Sequence, residues 1–316
     1  MKVLANDGLS ASGINELEKN GFEVHTVKVA QEQLKNYINE NEIAVLLVRS
    51  ATQIPATLID ACPSLKLIGR GGVGMDNIDI DHAKSKGLHV INTPAASSES
   101  VAELVFAHLF TGVRFLHDSN RIMPLEGDTK FKQLKKSYAA GQELRGKTIG
   151  VIGFGRIGQA VAKIALGLGM NVMYSDHTTA TAEIEVSFYD GQSIKFPFKA
   201  EPIENVLKQS DFITVHVPAQ KEYVLGKNEF DQMKDGVGLV NASRGGVVDE
   251  IALIKALDDG KIAFAGLDVY ESEPRPEIQI LMHPKISLTP HIGAATKEAQ
   301  GRIGLELASQ IIQRLK

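Results

Sequence analysis

Three charged side chains in the second half of the chain each follow a short apolar run. Arg244 follows GVGLVNAS, Glu273 follows AFAGLDVYES, and His291 follows ISLTP. Removing hydride from a hydroxyl-bearing carbon needs a base for the hydroxyl proton, and the pKa of histidine near neutrality suits that task. A bonded carboxylate would fix the imidazole tautomer and raise its pKa, and an arginine can bind a carboxylate or carbonyl. Each residue could instead be structural, and spacing alone does not place Glu273 against His291.

The pattern G-x-G-x-x-G occurs at 153–158 as GFGRIG, in a setting typical of dinucleotide binding. The apolar run TIGVI precedes it, the helix-like RIGQAVAKIALGLG follows it, and NVMYSD ends in Asp176. Gly153 and Gly155 would allow a tight turn and close backbone approach, and Gly158 close helix packing. The N–H groups of Arg156 and Ile157 would bind a pyrophosphate. Asp176 would bind ribose hydroxyls and repel a 2′-phosphate, which favours NAD over NADP.

The same pattern occurs at 69–74 as GRGGVG, but its setting differs. MDNIDIDHAK follows it, and the next strand-like run ends in Asn92 and Thr93 without an acid. We therefore predict no second dinucleotide site. Glycine-rich backbone at the carboxyl end of a strand can still direct N–H groups at an anion, so Gly72, Val73 and Gly74 are candidates for binding a substrate carboxylate. A tight turn without a ligand is the alternative.

These residues must be positioned by alternating strands and helices, which is the pattern of parallel sheets covered on both faces. The first half contains five predicted strands: KVLAN, FEVHTVKV, IAVLLVR, LKLIGR and HVINTP. The second half contains six: TIGVIG, NVMYSD, FITVHVP, GVGLVNAS, AFAGLDVY and ISLTPH. We predict a helix in SASGINELEKN, with a serine cap and Gly21 at its end, and an amphipathic helix from Thr296 to Lys316.

Three further segments have patterns of their own. A long helix is predicted from the serine cluster SSES, with one face formed by Val101, Leu104, Val105, His108 and Leu109. Residues 118–147 are polar and lysine-rich, and we predict an excursion with one short helix that could serve as an arm against another subunit. The segment EVSFYDGQSIKFPF, within 184–198, contains a DG turn between alternating residues and is predicted to be an inserted β-hairpin.

Composition narrows the classes of partner. The 316 residues have a net charge of −4 and 43% hydrophobic residues, so no global field points to nucleic acid or membrane. No basic segment followed by an apolar run opens the sequence, and no apolar run is long enough to span a membrane. The single cysteine, Cys62, excludes an internal disulfide and suits a reducing compartment. We predict a cytoplasmic protein that binds no metal.

The motifs GFGRIGQAVA, DFITVHVP, LVNASRGGVVDE, AGLDVYESEP and TPHIGAAT, in this order, resemble those of the NAD-dependent D-2-hydroxyacid dehydrogenases. The resemblance implies that Arg244, Glu273 and His291 are the catalytic set. It also implies an α/β fold of two doubly wound parallel-sheet domains. A Rossmann NAD-binding domain, 97–291, would be inserted into a flavodoxin-like substrate domain, 1–96 and 292–316, with the acid closed between them. Further cofactor contacts are implied at His216, Val217, Pro218, Ala242, Asp268, Gly293, Ala294 and Val73.

Other stretches are similar to those of family members that act on a phosphorylated acid: VRSATQIP, GRGGVGMDNIDI and VINTPAASSESVAE. Arg49 and Ser50 would then contact the phosphate, with Lys132, Lys135 and Lys136 as further candidates or simply solvated surface. Longer members carry a serine-sensing C-terminal domain that these 316 residues do not include, so we expect no feedback by that route. The hairpin-like insert is not part of the family's core pattern.

Two alternatives stay open from sequence. The same chemistry could act on a non-phosphorylated acid such as glyoxylate, hydroxypyruvate or lactate, with NADH or NADPH. The family also includes proteins that resemble NAD-sensing transcriptional corepressors, in which binding matters more than turnover. Members commonly form homodimers through the cofactor domain, so we expect a dimer built on the long helix and the 118–147 excursion.

Overall fold

A computed structural model describes residues 1–316 and divides into two compact α/β units. The first unit comprises Met1–Ser100 and Ala294–Lys316, and the second comprises Val101–Gly293. These boundaries lie two to four residues from those expected from the sequence. None of the helices combines the length and apolar character needed to cross a membrane.

The first unit contains one five-stranded, fully parallel sheet in the order β2-β1-β3-β4-β5. This order is that of a flavodoxin-like doubly wound sheet, which confirms the predicted class. The edge strand β2 is shorter than the predicted FEVHTVKV, because its pairing with β1 ends at the pair of Leu4 and His25. The strands are β1 Lys2–Ala5, β2 Glu23–His25, β3 Ile43–Val48, β4 Leu67–Arg70 and β5 His89–Asn92.

Helices cover both faces of this sheet over two apolar clusters. The C-terminal helix joins one of these clusters through Ile303, Leu307 and Ile311, each at most 2% exposed. It crosses the first helix closely, since a Cβ on Gly13 would lie 2.7 Å from the Gly304 carbonyl oxygen. The helices that lie wholly in this unit are α1 Ala11–Lys19, α2 Leu34–Glu40, α3 Ala56–Asp60, α4 Ile80–Ser85 and α13 Lys297–Leu315.

The predicted helix ends are confirmed at both termini of the first unit. The Ser10 hydroxyl caps α1 by accepting from the Gly13 N–H, and Gly21 follows the helix at φ +84°. The Thr296 hydroxyl caps α13 by accepting from the Ala299 N–H. Thr296 is therefore the cap of the C-terminal helix and not its first helical residue.

The second unit contains a six-stranded parallel sheet in the order β13-β12-β11-β10-β6-β7. The strand order reverses between β6 and β10, and ligands of open α/β sheets bind at such a switch point, beyond the carboxyl ends of the strands. All six predicted strands are present: β6 Thr148–Ile152, β7 Asn171–Ser175, β10 Phe212–Val215, β11 Val237–Asn241, β12 Ile262–Leu267 and β13 Ile286–Leu288.

Helix α5, Ser98–Val113, starts in the first unit and continues into the second. Of the face predicted from its periodicity, Val101, Val105, His108 and Leu109 are buried, and Leu104 is partly buried. The 118–147 segment differs from the prediction of one short helix, because two helices lie in and around it: α6 Leu116–Glu126 and α7 Phe131–Ser137. The remaining helices are α8 Arg156–Gly167, α9 Ile203–Gln209, α10 Lys227–Gln232, α11 Glu250–Asp258 and α12 Ile278–Met282.

The predicted hairpin is confirmed and is longer than expected, with β8 Thr181–Ser187 paired antiparallel to β9 Ser193–Lys199. Its base packs on the core of the second unit, where Ile184 is 1% exposed and the Phe198 ring lies 6.3 Å from the Phe154 ring between centroids. Its tip lies in solvent, with Tyr189 fully exposed. The base of the hairpin therefore adds apolar side chains to the same core cluster as α8 and β7.

Candidate active site

The GFGRIG turn has the geometry of a dinucleotide-binding turn. Gly153 adopts φ +89°, and a Cβ there would lie 2.4 Å from the carbonyl oxygen of His216 on the neighbouring strand end. A Cβ on Gly158 would lie 2.3 Å from the Gly153 oxygen. Gly155 is the N-cap of α8, is exposed, and has only open space where a Cβ would be. The first helical N–H groups, including those of Arg156 and Ile157, have no carbonyl four residues earlier to receive them and are oriented for an anion.

Asp176 lies just past β7 and braces this turn. One carboxylate oxygen accepts from the Phe154 N–H at 2.6 Å, and the other accepts from the N–H groups of Thr178 and Thr179, both at 2.7 Å, and from the Thr178 hydroxyl. Partial burial alone would raise the pKa of Asp176, but these hydrogen bonds outweigh it and lower the pKa to about 2. The carboxylate is therefore charged at neutral pH, as discrimination against a 2′-phosphate requires.

The end of β10 lies across the switch point from this turn. His216 follows the strand, and its N–H donates to the Ile152 carbonyl at 2.7 Å. Its Nε2 bonds the Thr214 hydroxyl at 2.9 Å, whereas its buried Nδ1 has no partner. Burial lowers the pKa of His216 to about 3, so the ring is neutral. An orphaned ring nitrogen at this position fits a bound group, with Val217 partly buried and Pro218 exposed beside it.

Arg244 is held in a tight loop after β11. The Asn241 side chain, 2% exposed, donates to the Arg244 carbonyl at 3.0 Å and accepts from the N–H and hydroxyl of Ser243. Gly245 fits under the next strand end, because a Cβ there would lie 1.8 Å from the Tyr270 carbonyl oxygen. The Arg244 guanidinium is partly buried and donates to the Ser243 carbonyl at 2.6 Å. Ala242, in the same loop, is 8% exposed.

Glu273 lies in the segment that follows β12. Its Oε1 accepts from the Tyr270 N–H at 3.0 Å, which fixes the carboxylate relative to its own backbone. A reciprocal pair secures the segment, since the Glu250 N–H donates to Glu271 and the Glu271 N–H donates to Glu250. Burial raises the pKa of Glu250, whose side chain lies at the start of α11. No sequence pattern pointed to Glu250 or Glu271.

The fold brings Glu273 and His291 together. Nδ1 of His291 lies 2.8 Å from Oε2 of Glu273, and the two side chains are 40% and 35% exposed, His291 first. Because Glu273 also accepts from the Tyr270 N–H, its second oxygen is directed at the imidazole and fixes a proton on Nδ1. Nε2 is then the ring nitrogen that is left for a proton transfer. His291 adopts φ +53°, a left-handed conformation that L-residues rarely take and that recurs at functional sites.

The Asp268 carboxylate holds the loop that carries His291. Asp268 is 1% exposed; its Oδ1 accepts from the Thr289 hydroxyl and the Ile292 N–H, and its Oδ2 accepts from the Gly293 N–H. Its carbonyl accepts from the His291 N–H at 2.8 Å. The expected cofactor role of Asp268 and Gly293 stays a prediction, and the geometry adds a positioning role. Ala294, also expected at the cofactor, begins the return to the first unit.

In the first unit, the GRGGVG turn is arranged differently. The Gly72 N–H donates to the Arg70 carbonyl at 3.0 Å within the turn. The expectation that Gly72, Val73 and Gly74 bind a substrate carboxylate stays a prediction. The Asn92 side chain donates to the Val73 carbonyl at 2.8 Å and fixes the turn.

Arg49 and Ser50 lie at the switch point of the first sheet, beyond β3. The Arg49 N–H donates to Asp7 at 2.7 Å, and its guanidinium bonds the Gln300 side-chain oxygen. Burial lowers the pKa of Arg49 and the Asp7 charge opposes this. The guanidinium is still charged at neutral pH. Ser50 is exposed, as are Lys132, Lys135 and Lys136 on α7.

Taken by itself, the second unit is a dinucleotide-binding domain with an imidazole–carboxylate pair and an arginine on three adjacent strand ends. Residues 106–293 match the model of the D-isomer specific 2-hydroxyacid dehydrogenase NAD-binding domain. The chain belongs to the D-isomer specific 2-hydroxyacid dehydrogenase family, and this unit is its NAD-binding domain.

Individual relatives agree on the family and differ in name. The chain is 40% identical to D-3-phosphoglycerate dehydrogenase of Archaeoglobus fulgidus over its full length, which is 58% of that relative. It is also 40% identical to hydroxypyruvate reductase of Thermotoga maritima, over 99% of this chain and 98% of that one. The TT0316 protein of Thermus thermophilus superposes with a TM-score of 0.83 at 30% identity, covering 98% and 94% of the two chains. The chain thus spans little more than half of the first relative and nearly all of the second.

Proposed function

We propose that this protein is an NAD-dependent dehydrogenase of D-2-hydroxy acids. The observation that carries the proposal is the 2.8 Å pair of His291 Nδ1 and Glu273 Oε2, which leaves Nε2 of His291 as the ring nitrogen for proton transfer. Family membership and the open glycine turn at 153–158 support the cofactor. A binding protein without turnover would need the turn but not this acid–base pair.

In the proposed reaction, Nε2 of His291 takes the proton of the substrate hydroxyl. The imidazolium that forms is stabilised by Glu273, whose carboxylate already bonds Nδ1 and is held by the Tyr270 N–H. When bound, NAD accepts the hydride that leaves C2, so a carbonyl replaces the C2 hydroxyl. In the reverse direction the imidazolium returns the proton to the carbonyl oxygen.

Arg244 supplies the positive charge in this scheme. Its guanidinium donates to the Ser243 carbonyl, in a loop that the Asn241 side chain fixes through the Arg244 carbonyl. It would bind the substrate carboxylate or carbonyl and stabilise the charge that develops on oxygen. The N–H groups of Val73 and Gly74 would bind the carboxylate as well. The turn at 153–158 and Asp176 would bind the pyrophosphate and the ribose of NAD, with His216 and Pro218 beside the adenosine.

We further propose D-3-phosphoglycerate as the substrate, oxidised to 3-phosphohydroxypyruvate in the first step of serine synthesis. The name of the 40% identical Archaeoglobus relative supports this, as do the charge of Arg49 and the exposed Ser50 beside it. An arginine can bind phosphate through two parallel hydrogen bonds. Release of Arg49 from Gln300 would free its guanidinium for that contact.

A second candidate is the reduction of hydroxypyruvate or glyoxylate. It is favoured by one specific observation: the Thermotoga hydroxypyruvate reductase is equally similar and matches over 98% of its own length. Such a substrate has no phosphate and would make no ionic contact with Arg49. The two candidates therefore differ in their dependence on one side chain.

The deciding experiment measures kcat/KM for D-3-phosphoglycerate, D-glycerate, D-lactate, hydroxypyruvate and glyoxylate, with NAD(H) and NADP(H). Arg49→Ala should lower kcat/KM for the phosphorylated acid about 10- to 100-fold, the range expected for a lost charged hydrogen bond. Arg314→Ala, which removes an exposed arginine on α13, is the control. Preference for an unphosphorylated acid with no effect of Arg49→Ala would select the second candidate. The absence of turnover on every acid would refute the dehydrogenase proposal.

We also propose a homodimer formed through the second unit. Its support is a set of exposed apolar side chains on α5 to α7: Phe110, Leu116, Met123, Leu125 and Phe131. Sedimentation of the wild-type protein should give twice the chain mass, and Leu125→Asp should shift it toward the monomer. A monomeric wild type would contradict this proposal.

A cytoplasmic location is proposed from the use of NAD and the single, unpaired Cys62.

A further inference from the structure

A buried histidine on helix α5 lies behind the loop that carries His291. His108 is 2% exposed, and its side chain packs directly on β12, where a Cβ on Gly266 would lie 2.5 Å from the His108 Cβ. This close approach fixes the ring against the ends of β12 and β13. The proposed mechanism does not use His108, and its burial needs a partner for each ring nitrogen.

Both ring nitrogens of His108 are bonded to hydroxyls of β13 and the residues after it. Nδ1 lies 2.9 Å from the Ser287 hydroxyl, and Nε2 lies 3.1 Å from the Thr289 hydroxyl. The Thr289 hydroxyl also lies 2.6 Å from Oδ1 of Asp268. A carboxylate can only accept, so the proton of Thr289 is donated to Asp268.

That donation fixes the direction of the other hydrogen bonds that link Ser287, His108, Thr289 and Asp268. Because the Thr289 proton is committed to Asp268, the Thr289 oxygen must accept from Nε2–H of His108. Burial lowers the pKa of His108, so the ring is neutral and Nδ1 carries a lone pair. The Ser287 hydroxyl then donates to Nδ1. The hydrogen bonds therefore run from donor to acceptor in one direction, from Ser287 through His108 and Thr289 to Asp268.

Asp268 is where this chain meets the active-site loop. Besides the Thr289 hydroxyl, its carboxylate accepts from the N–H groups of Ile292 and Gly293 at 2.8 Å each. These are the two residues that follow His291 in the loop. The His291 backbone is in the left-handed region, a conformation that persists only where surrounding contacts determine it. Any rotation of the Asp268 carboxylate would release these N–H groups together.

We propose that His108 and Thr289 are positioning residues for His291, acting through the Asp268 carboxylate. The inference rests on the proposed function for its meaning in catalysis, but its structural content does not. The two residues contact neither substrate nor cofactor in this proposal. They hold the loop so that Nδ1 of His291 stays 2.8 Å from Glu273 Oε2.

Paired substitutions separate hydrogen bonding from packing. His108→Gln can keep a donor near Nε2 for Thr289, whereas His108→Asn keeps a group near Nδ1 and loses that donor. Thr289→Ser keeps the hydroxyl, and the nearly isosteric Thr289→Val removes it. Thr111→Val removes a hydroxyl one turn further along α5, outside the hydrogen-bonded chain, and is the control.

Two measurements apply to all five variants. Steady-state kinetics with the best acid of the substrate panel should show kcat reduced about 10- to 100-fold in Thr289→Val and His108→Asn, with KM little changed, because a small displacement of a reacting group has an effect of that order. Thr289→Ser, His108→Gln and Thr111→Val should stay within about threefold of wild type. The low-field proton resonance of His291 Nδ1–H, recorded without substrate, should shift or broaden only in Thr289→Val and His108→Asn.

The outcomes are distinct. An unchanged His291 resonance and kcat in Thr289→Val and His108→Asn would overturn the inference. So would equal losses within each pair, because packing alone would then explain them. If the wild-type protein oxidises no acid, the proposed function fails, but the resonance still tests whether His108 and Thr289 hold the His291–Glu273 pair.

Discussion

The two glycine-rich turns of this protein share a letter pattern and differ in their surroundings. Both follow a central strand of a parallel sheet, and in both a side chain at the end of the adjacent strand braces the turn. In the second unit the brace is Asp176, which accepts from the Phe154 N–H; in the first it is Asn92, which donates to the Val73 carbonyl. The side chain that fixes the turn is thus a hydrogen-bond acceptor in the second unit and a donor in the first.

The segments after the two turns also differ. GFGRIG lies at the strand-order reversal beside β10 and opens the 12-residue helix α8, so a set of N–H groups and a helix dipole face one point. GRGGVG opens no helix, and the Gly72 N–H is used within the turn. A dinucleotide site therefore depends on the position of the turn in the sheet and on the helix after it, and not on glycine spacing alone. A turn of the second kind can hold a single carboxylate.

The largest expected effect concerns the acid–base pair at the strand ends of the second unit. His291→Ala should lower kcat about 10²- to 10⁴-fold, because in the proposed mechanism it removes the group that would transfer the hydroxyl proton. NAD affinity should change little, since the glycine turn is intact. His89→Ala, an exposed histidine on β5, is the control. A kcat within about threefold of wild type would remove His291 from the mechanism.

A second prediction contrasts backbone positions in the two turns. Gly153→Ala places a Cβ 2.4 Å from the His216 oxygen at φ +89°, whereas Gly71→Ala meets an Ile303 methyl at 3.1 Å without that strain. Gly153→Ala should lower the free energy of unfolding by about 1–3 kcal/mol or more and weaken NAD binding at least tenfold. Gly191→Ala, at φ +86° in open space, is the control for backbone strain alone. Equal losses of stability and of NAD affinity in all three variants would contradict the predicted difference between the two turns.

The charge of the Asp176 brace gives the third prediction. Asp176→Asn should lower the preference for NAD over NADP about tenfold, since the repulsion of a 2′-phosphate is lost. The folded-state pKa of about 2 lies below the unfolded value of about 3.9, so the charge stabilises the fold above about pH 4 and this contribution is lost as the pH falls toward 2. Denaturant unfolding should therefore separate the two proteins at neutral pH and bring them together in strong acid. A constant difference would show that the carboxylate charge is not responsible.

The smallest expected effect concerns the neutral brace of the first unit. Asn92→Ala removes one hydrogen bond to the Val73 carbonyl, worth about 1 kcal/mol. KM for the acid should rise about two- to tenfold, with kcat and NAD affinity little changed. Asn39→Ala, which removes an exposed side-chain hydrogen bond to the Ala61 carbonyl, is the control. A fall in NAD affinity that exceeds the rise in KM would assign the first turn to the cofactor.

Much of this arrangement could be predicted from local patterns. The strands are apolar runs between turn residues, the α1 and α13 caps are short-range hydrogen bonds, and the helix and acid after GFGRIG are local sequence features. The Glu273–His291 pair could be proposed from chemistry but not placed, because 18 residues and two strand ends separate its members. Only tertiary packing brings them within 2.8 Å.

Other site residues gave no signal in the sequence. His108 has the periodicity of a core position, and its partners Ser287 and Thr289 lie 179 and 181 residues away. The Glu250 and Glu271 pair consists of backbone-to-carboxylate bonds between two loops, which no residue pattern encodes. The use of the Gly72 N–H by Arg70 depends on a local turn angle that the GRGGVG letters do not specify.

The most direct test of the contrast between the turns is a titration of backbone amide resonances in deuterated, ¹⁵N-labelled protein, first with NAD and then with D-3-phosphoglycerate. We expect NAD to shift the amides of Gly155, Arg156 and Ile157 most strongly and the acid then to shift Gly74. The opposite pattern, with Gly74 responding to NAD and the 155–157 amides unmoved, would contradict the assignment of the two turns.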